Sequence, residues 1–130
     1  MHGLPDFNIS RSDWWIVLTA HSNVLIEGAE ASTDAVVATL SERLQTPFRN
    51  WTGRPPDVHG GTLVVRAVDT LDPDGQRALL DYLTLSNARG TLQVVSTSAA
   101  PLFPMIERGL FLEELYYRLN TVRLDLEEKR

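Results

Sequence analysis

The sequence contains no cysteine. This absence excludes disulfide bonds, thiolate ligands for a metal and a cysteine nucleophile. The chain also has no apolar run of about 18 residues or more, the length that a helix needs to cross a membrane. Its start lacks a basic region followed by an apolar stretch, so we expect no secretory signal and a cytoplasmic location.

Basic charge is scarce as well. The 12 Lys and Arg residues are outnumbered by 17 Asp and Glu residues, which gives a formal net charge of −5. Because non-specific nucleic-acid binding depends on clustered Lys and Arg residues that meet phosphates, we expect no direct DNA binding. The three histidines, His2, His21 and His59, are scattered without the spacing of metal ligands, so we expect no metal site.

What remains is typical of one globular domain. The 130 residues are 43% hydrophobic and 22% charged, which is enough to bury a core without cross-links. Short runs that contain β-branched residues predict strands at 24–26, 62–68, 92–97 and 121–126. A further short strand is expected at 47–51, which has no such run. Apolar residues at helical spacing predict helices at 31–44, from Pro73 to near Gly90, and over most of 106–119. This alternation predicts an α/β domain whose mostly parallel sheet is flanked by helices.

We expect three segments along the chain. Residues 1–22 form an N-terminal segment of uncertain structure, residues 23–126 form the core, and residues 127–130 form a charged, solvated tail. In the first segment, Ser12 is expected to cap a short helix. The tryptophans Trp14, Trp15 and Trp51 are interpreted as buried side chains, with interface anchors as the alternative.

Three stretches, in order along the chain, resemble one family. Residues 60–63 read Gly-Gly-Thr-Leu and are followed by a strand and the helix that contains 71–80. This segment is similar to the second nucleotide-site segment of the sigma-54-dependent transcription activators, the bacterial enhancer-binding proteins of the AAA+ class. Residues 109–120, Gly-Leu-Phe-Leu-Glu-Glu-Leu-Tyr-Tyr-Arg-Leu-Asn, resemble the family's Gly-x-Phe-Arg-x-Asp-Leu-Tyr-Tyr-Arg-Leu-Asn. Residues 23–28 look like the strand that leads into the family's phosphate loop. The resemblance covers roughly 23–126 and implies a P-loop NTPase-like core.

The phosphate loop of such a core needs Gly-x-x-x-x-Gly-Lys-Ser/Thr, and this chain retains only the first glycine, Gly28. Thr33 replaces the second glycine, Asp34 replaces the Lys, and Ala35 replaces the hydroxyl residue that holds magnesium. A Lys about 4 Å from a phosphate charge gains roughly 4 kcal/mol at a surface-like dielectric, and an Asp reverses that sign. The simpler interpretation is that residues 32–34 cap the following helix.

The second nucleotide site departs from the family pattern independently. The family's strand ends in Asp-Glu, and the matching residues here are Arg66 and Ala67. Ala99 stands where the family has its sensing Asn. Only about a dozen positions separate Phe48 from Gly60, so the family's sigma-contacting loop is expected to be deleted. The chain ends where the family would enter its helical lid and then a DNA-binding helix-turn-helix, so we expect a truncated core without the lid.

One functional arginine of the family has a counterpart. The resemblance aligns Arg118 with a residue that reaches a neighbouring subunit's ATP site, whereas Leu112 replaces the first such arginine. The preferred interpretation of Arg118 is an ion pair with Glu114, one helical turn earlier.

These departures predict a non-catalytic pseudo-ATPase domain with no cofactor. It is expected to act as a regulator by contact with a protein partner, which is either a second copy of itself or a sigma-54-type activator. Two alternatives stay open. One is a small-ligand or anion-binding module in the former nucleotide crevice, where Arg66 would meet the anion. The other is residual ATP binding at an unconventional site.

Overall fold

The computed structural model describes residues 9–56, 60–89 and 92–126. Five parallel strands form one sheet in the order β2-β3-β4-β1-β5. The strands are β1 Val24–Glu27, β2 Phe48–Asn50, β3 Gly61–Val65, β4 Leu92–Ser98 and β5 Val122–Asp125. The helices are α1 Arg11–Thr19, α2 Glu30–Leu40, α3 Pro73–Arg89, α4 Leu102–Glu107 and α5 Glu113–Leu119, with a 3-10 turn at Val68–Thr70. The predicted fold class, a mostly parallel sheet flanked by helices, is confirmed.

The sheet is covered on both faces, so β1 and β3 are apolar along most of their length. The central strand β4 also buries polar residues, Gln93 and those from Ser96 to Ser98. All residues of β1 and β3 are buried. Successive side chains enter opposite cores: Leu25 packs in one cluster with α3 and α5, whereas Val24 and Ile26 pack in the other with α2. A strand buried on both faces has no polar face, which explains why the sequence shows continuous apolar runs there.

The prediction for the start of the first helix is wrong. Helix α1 is capped by Ser10, whose Oγ accepts the Asp13 N–H at 3.1 Å, and not by Ser12. Ser10 and Asp13 have the spacing of a capping box, which outweighs the serine two residues later. The stretch predicted to be mainly helical, 106–119, contains the end of α4 and all of α5. Gly109 has a φ of 75°, a left-handed conformation that ends the first helix.

The N-terminal segment packs onto the core from residue 9 onward. Val17 is fully buried, and the buried Gln93 donates through Nε2 to the carbonyl oxygens of Val17 at 3.0 Å and Ser22 at 2.8 Å. Trp14 packs partly buried against the core, but Trp15 is 67% exposed, so the prediction that it is buried is wrong.

Some predictions lie outside the described residues. They concern residues 1–8, Gly90 and the tail 127–130. None of the described helices is long and apolar enough to cross a membrane.

The start of β3 requires glycine. Gly61 is the first residue of β3 and has a φ of 83°. It lies against Pro47, the residue that precedes β2. A Cβ at Gly61 would overlap the Pro47 carbonyl oxygen and would lie 2.8 Å from Pro47 Cδ. The close approach lets the Thr62 N–H donate to the Pro47 carbonyl at 2.9 Å. Pairing of the edge strand β2 with β3 therefore depends on this glycine.

We predict that Gly61→Ala lowers the free energy of unfolding by roughly 2–4 kcal/mol, because left-handed strain adds to steric overlap. Gly53→Ala is the matched control, since Gly53 has a φ of 94° and no atom lies within 4 Å of the position that an alanine Cβ would take. It should cost only about 1 kcal/mol. Urea denaturation of both variants measures the difference, and equal costs would contradict the role of the Pro47 contact.

Candidate functional site

The carboxyl ends of β3 and β4 and the start of α2 enclose a cavity of about 210 Å³. Its lining residues are Glu30, Thr33, Asp34, Arg66, Ala67, Asp69, Thr70, Thr97 and Ala99. Ligand sites of open parallel α/β sheets lie at this edge, beyond the carboxyl ends of the strands. The structure thus brings together most of the positions predicted from the phosphate loop and the second site. Gly28, Ala35 and Arg118 are not among the lining residues.

The segment that matches the phosphate loop is the first turn of a helix. Helix α2 begins at Glu30 with Ala29 as its N-cap. The backbone N–H groups of Ser32 and Thr33 both donate to the Ala29 carbonyl, at 3.0 and 2.9 Å. The prediction that residues 32–34 cap this helix is therefore wrong, because the helix starts before them. A phosphate loop leaves its N–H groups free to surround phosphates, whereas these two are already bonded.

Local composition explains the early helix start. The positions between Gly28 and Asp34 contain no glycine, and the two alanines and Glu30 among them favour helix. The carboxylate of Glu30 also suits the positive end of the helix dipole. Thr33 is buried, and its hydroxyl donates to the Glu30 carbonyl at 3.1 Å inside this turn.

Asp34 and Arg66 form an ion pair across the cavity. Arg66 Nη1 lies 2.7 Å from Asp34 Oδ1, and each side chain is 49% exposed. The two positions carry charges opposite to those that the family resemblance implies, acidic in place of Lys and basic in place of Asp. A half-exposed pair contributes no more than about 1 kcal/mol to stability. Its chemical consequence is larger, because Asp34 neutralises the arginine that the anion-site alternative requires.

Beyond Arg66 the backbone turns sharply at Ala67. Ala67 has φ 53° and ψ 49°, the left-handed region. Two threonine hydroxyls hold it: the Ala67 N–H donates to Thr97 Oγ1 at 2.9 Å, and Thr70 Oγ1 donates to the Ala67 carbonyl at 2.7 Å. The alanine methyl supplies no acid or base at this edge. No sequence motif pointed to Thr70 or Thr97. The role of Thr97 arises only where β3 and β4 end side by side, whereas Thr70 acts within one short turn.

A second polar cluster lies at the end of β1. The Glu27 side chain is 5% exposed. Its Oε1 lies 2.7 Å from Arg123 Nε, and its Oε2 accepts the Leu102 N–H at 3.0 Å. Arg123 also lies 3.1 Å from Asp125. Burial alone would lower the pKa of Arg123, but the hydrogen bond and charge of Glu27, together with Asp125, outweigh it and raise the pKa. Glu27 thus joins β1, β5 and α4.

Arg118 lies apart from the cavity. Its carbonyl oxygen accepts Asn23 Nδ2 at 2.8 Å, which ties the end of α5 to the start of β1. Within residues 9–56, 60–89 and 92–126, the ion pairs do not include one between Arg118 and Glu114, so that preferred interpretation is wrong.

The buried Gln76 connects two of the three family-like stretches. Gln76 Nε2 donates to the carbonyl oxygens of Leu71 and Leu110, each at 3.0 Å. Gln76 Oε1 accepts the Leu112 N–H at 2.8 Å. The sequence places Gln76 on the inward face of α3, but only the structure shows that it fixes the turn between α4 and α5.

The sheet order, the helices on both faces and the crevice at the carboxyl edge define an AAA+ P-loop NTPase-like core. The model of the Sigma-54 interaction domain family matches residues 19–128. The chain therefore belongs to the sigma-54 interaction domain family, and the family resemblance seen in the sequence is confirmed.

Curated relatives are bacterial transcription regulators. The DNA-binding transcriptional regulator NtrC of Rhizobium meliloti (strain 1021) is 36% identical over 84 residues, which are 58% of this chain and 17% of NtrC. The pathogenicity locus probable regulatory protein HrpR of Pseudomonas syringae pv. syringae is 35% identical over 80 residues, 52% of this chain and 24% of HrpR. This chain thus spans a quarter or less of the length of these relatives.

Solved structures support the fold. NtrX from Brucella abortus in complex with ADP superposes with a TM-score of 0.68 at 20% identity, over 89% of this chain and 34% of that chain. The P-loop NTPase domain of a sigma-54 activator from E. coli gives a TM-score of 0.55 at 15% identity, over 94% of this chain and all of that one. At these identities the likeness concerns the fold alone.

The Asp34–Arg66 pair is tested by a double-mutant cycle with Asp34→Asn and Arg66→Gln. We predict a favourable coupling energy of less than about 1 kcal/mol, the range of exposed pairs, which falls as salt is added. Asp34→Asn combined with Arg108→Gln is the control and should show additive effects. Urea denaturation measures all variants, and zero coupling at low salt would show that the pair does not form.

For the polar cluster at the end of β1, we predict that Glu27→Gln lowers the free energy of unfolding by roughly 1–3 kcal/mol. The glutamine keeps the size but removes the charge, and its amide group can face the Arg123 guanidinium with a donor instead of an acceptor. Glu114→Gln, on the exposed side of α5, should change stability by less than about 0.5 kcal/mol. Thermal and urea unfolding that fail to separate the two variants would contradict this role of Glu27.

Proposed function

We propose that this domain is a non-catalytic pseudo-ATPase of the sigma-54 interaction family that regulates by protein contact. The observation that carries the proposal is the start of α2 at Glu30. The N–H groups of Ser32 and Thr33 already donate hydrogen bonds within the first helical turn, so they are not available to bind phosphates. The side chain of Asp34 projects a negative charge into the same cavity.

The charges around the cavity support the same conclusion. Glu30, Asp34 and Asp69 line it together with Arg66, which is held by Asp34. A triphosphate would meet an excess of carboxylates, and Coulomb repulsion between like charges disfavours its binding. Ala67 provides no carboxylate to hold magnesium or to polarise a water molecule, so hydrolysis would lack its usual acid and base.

An exposed aromatic surface supports a role in protein contact. We call Phe103 and Tyr117 the aromatic patch; they are 50% and 60% exposed. Phe103 and Tyr117 both pack against the buried Tyr116, with ring centroids 6.3 and 5.3 Å apart. Rings fixed by a buried neighbour lose little side-chain entropy on binding, which makes them suitable anchors for a partner. The proposed partner is a sigma-54-type activator or a second copy, in the cytoplasm, without direct DNA contact.

The first test is nucleotide binding. We expect isothermal titration calorimetry with ATP or ADP and Mg²⁺ to show no saturable heat, and phosphate release to equal a protein-free blank. An active sigma-54 activator serves as the positive control. Saturable Mg²⁺-dependent binding that is weakened by Arg66→Gln would overturn the pseudo-ATPase proposal.

The second test concerns the partner. We expect the protein to change the ATPase rate and subunit assembly of an active sigma-54 activator, or to self-associate in sedimentation experiments. Phe103→Ser with Tyr117→Ser should abolish the effect. Leu85→Ser is the matched control, because Leu85 is a 47% exposed apolar residue on α3 and outside the aromatic patch. Unchanged rates, unchanged assembly and a monomer at all concentrations would contradict the regulatory role.

A further inference from the structure

The two rings of the aromatic patch lie on two different and very short helices. Phe103 lies on α4, which has six residues, and Tyr117 lies on α5, which has seven. Isolated helices shorter than about 12–15 residues are marginal in water, so contacts with the rest of the domain hold these two in place. Burial of apolar side chains stabilises them, but it is non-directional and does not by itself fix the angle between two helices. The relative position of the two rings therefore depends on directional contacts at the turn that joins α4 to α5.

Gln76 makes directional contacts of this kind from inside the core. It is 2% exposed. Its Nε2 donates to the Leu110 carbonyl at 3.0 Å, and its Oε1 accepts the Leu112 N–H at 2.8 Å. An amide turned by 180° would present its donor to the N–H and its acceptor to the carbonyl, so only one orientation of the turn satisfies both contacts. Gln76 therefore fixes the turn in that orientation.

Each of the two residues bound by Gln76 is itself hydrogen-bonded to one of the helices. The Leu110 N–H donates to the carbonyl of Met105 in α4 at 2.8 Å, and the Leu112 carbonyl accepts the N–H of Tyr116 in α5 at 3.0 Å. Tyr116 is the buried ring against which both rings of the aromatic patch pack. A continuous series of hydrogen bonds thus connects Gln76 with both helices that carry the patch.

We propose that Gln76 is a positioning residue for partner binding. Because it is buried, it does not itself meet a partner; it keeps the rings of Phe103 and Tyr117 in the arrangement that the partner recognises. Rings already held in the bound arrangement lose less conformational freedom on association, which raises the affinity. The inference rests on the proposed function, since it concerns the surface through which the domain is proposed to regulate.

A second buried glutamine provides a matched control. Gln93 is 1% exposed, and its Nε2 donates to the carbonyl oxygens of Val17 and Ser22 at 3.0 and 2.8 Å. These contacts hold α1 and the segment after it, and not the turn between α4 and α5. Loss of either glutamine amide leaves two carbonyl groups without their donor, so both losses should lower the free energy of unfolding. Only the loss at Gln76 should change partner binding.

The test compares Gln76→Met with Gln93→Met, because methionine keeps the length of the side chain and removes its amide group. The readouts are the ATPase rate of an active sigma-54 activator and self-association in sedimentation, each measured against the concentration of this protein. We expect Gln76→Met to raise the concentration for the half-maximal effect roughly tenfold, and Gln93→Met to leave it within about twofold of the wild type. Equal half-maximal concentrations for the two variants would overturn the inference, since a merely structural role would affect both alike.

Leu112→Pro tests the same contact without changing Gln76, should Gln76→Met fail to fold. The φ of Leu112 is −69°, a value that proline adopts, so the substitution removes the N–H that Gln76 accepts and keeps this backbone angle. Leu112→Ala is its control, because it shortens the side chain and keeps the N–H. Equal half-maximal concentrations for these two variants would overturn the inference. So would exchange of the wild-type Leu112 amide hydrogen at the rate of an unstructured peptide, a measurement that needs no variant.

The double variant Phe103→Ser with Tyr117→Ser separates this inference from the proposed function. If the wild-type protein leaves the activator unchanged and stays a monomer, the regulatory role fails and this inference fails with it. If the wild type acts, the double variant does not, and Gln76→Met acts like the wild type, only the role of Gln76 fails and the proposed function stands.

Discussion

Burial of the parallel sheet on both faces is the constraint on which the rest of the structure depends. β1 pairs with β4 on one side and β5 on the other, and all of its residues are buried. Because neither face can hold water-exposed polar groups, polar side chains of the strands collect at the strand ends. Glu27 at the end of β1, Arg66 after β3 and Thr97 near the end of β4 are examples. The candidate site is a consequence of this arrangement.

Three buried polar side chains hold the peripheral segments to the sheet and its helices. Gln93 binds one carbonyl group of α1 and one of the segment between α1 and β1. Gln76 binds the turn between α4 and α5, and Glu27 binds the first N–H of α4. Each satisfies backbone groups that would otherwise be buried without partners. These contacts keep the family-like segments in place around a crevice whose own residues have changed. The fold depends on these buried contacts, whereas Asp34 and Arg66 at the carboxyl edge of the sheet are half exposed.

Much of the fold could be predicted from the sequence, because apolar runs and helical spacing report burial directly. Four of the five strands were found this way, whereas the edge strand β2 has the sequence Phe-Arg-Asn and no apolar run. The errors concern chain segments in which nearby residues compete. Ser10 rather than Ser12 caps α1, and α2 begins at Glu30, before the residues 32–34 that were expected to cap it. A helix end depends on which of several adjacent residues can meet the free N–H or carbonyl groups, and periodicity does not distinguish them.

The sequence by itself determined the parallel α/β class, the family and the positions at which the phosphate-loop pattern is lost. Those features are local in the chain or repeat along it. Only the tertiary structure decided that Asp34 meets Arg66, that Thr97 supports Ala67, and that the former phosphate loop is a helical turn. The first two contacts join residues about 30 positions apart along the chain, and they exist because parallel pairing brings strand ends to one edge of the sheet. The helical turn depends on how α2 packs against the sheet, since short helices gain most of their stability from such packing.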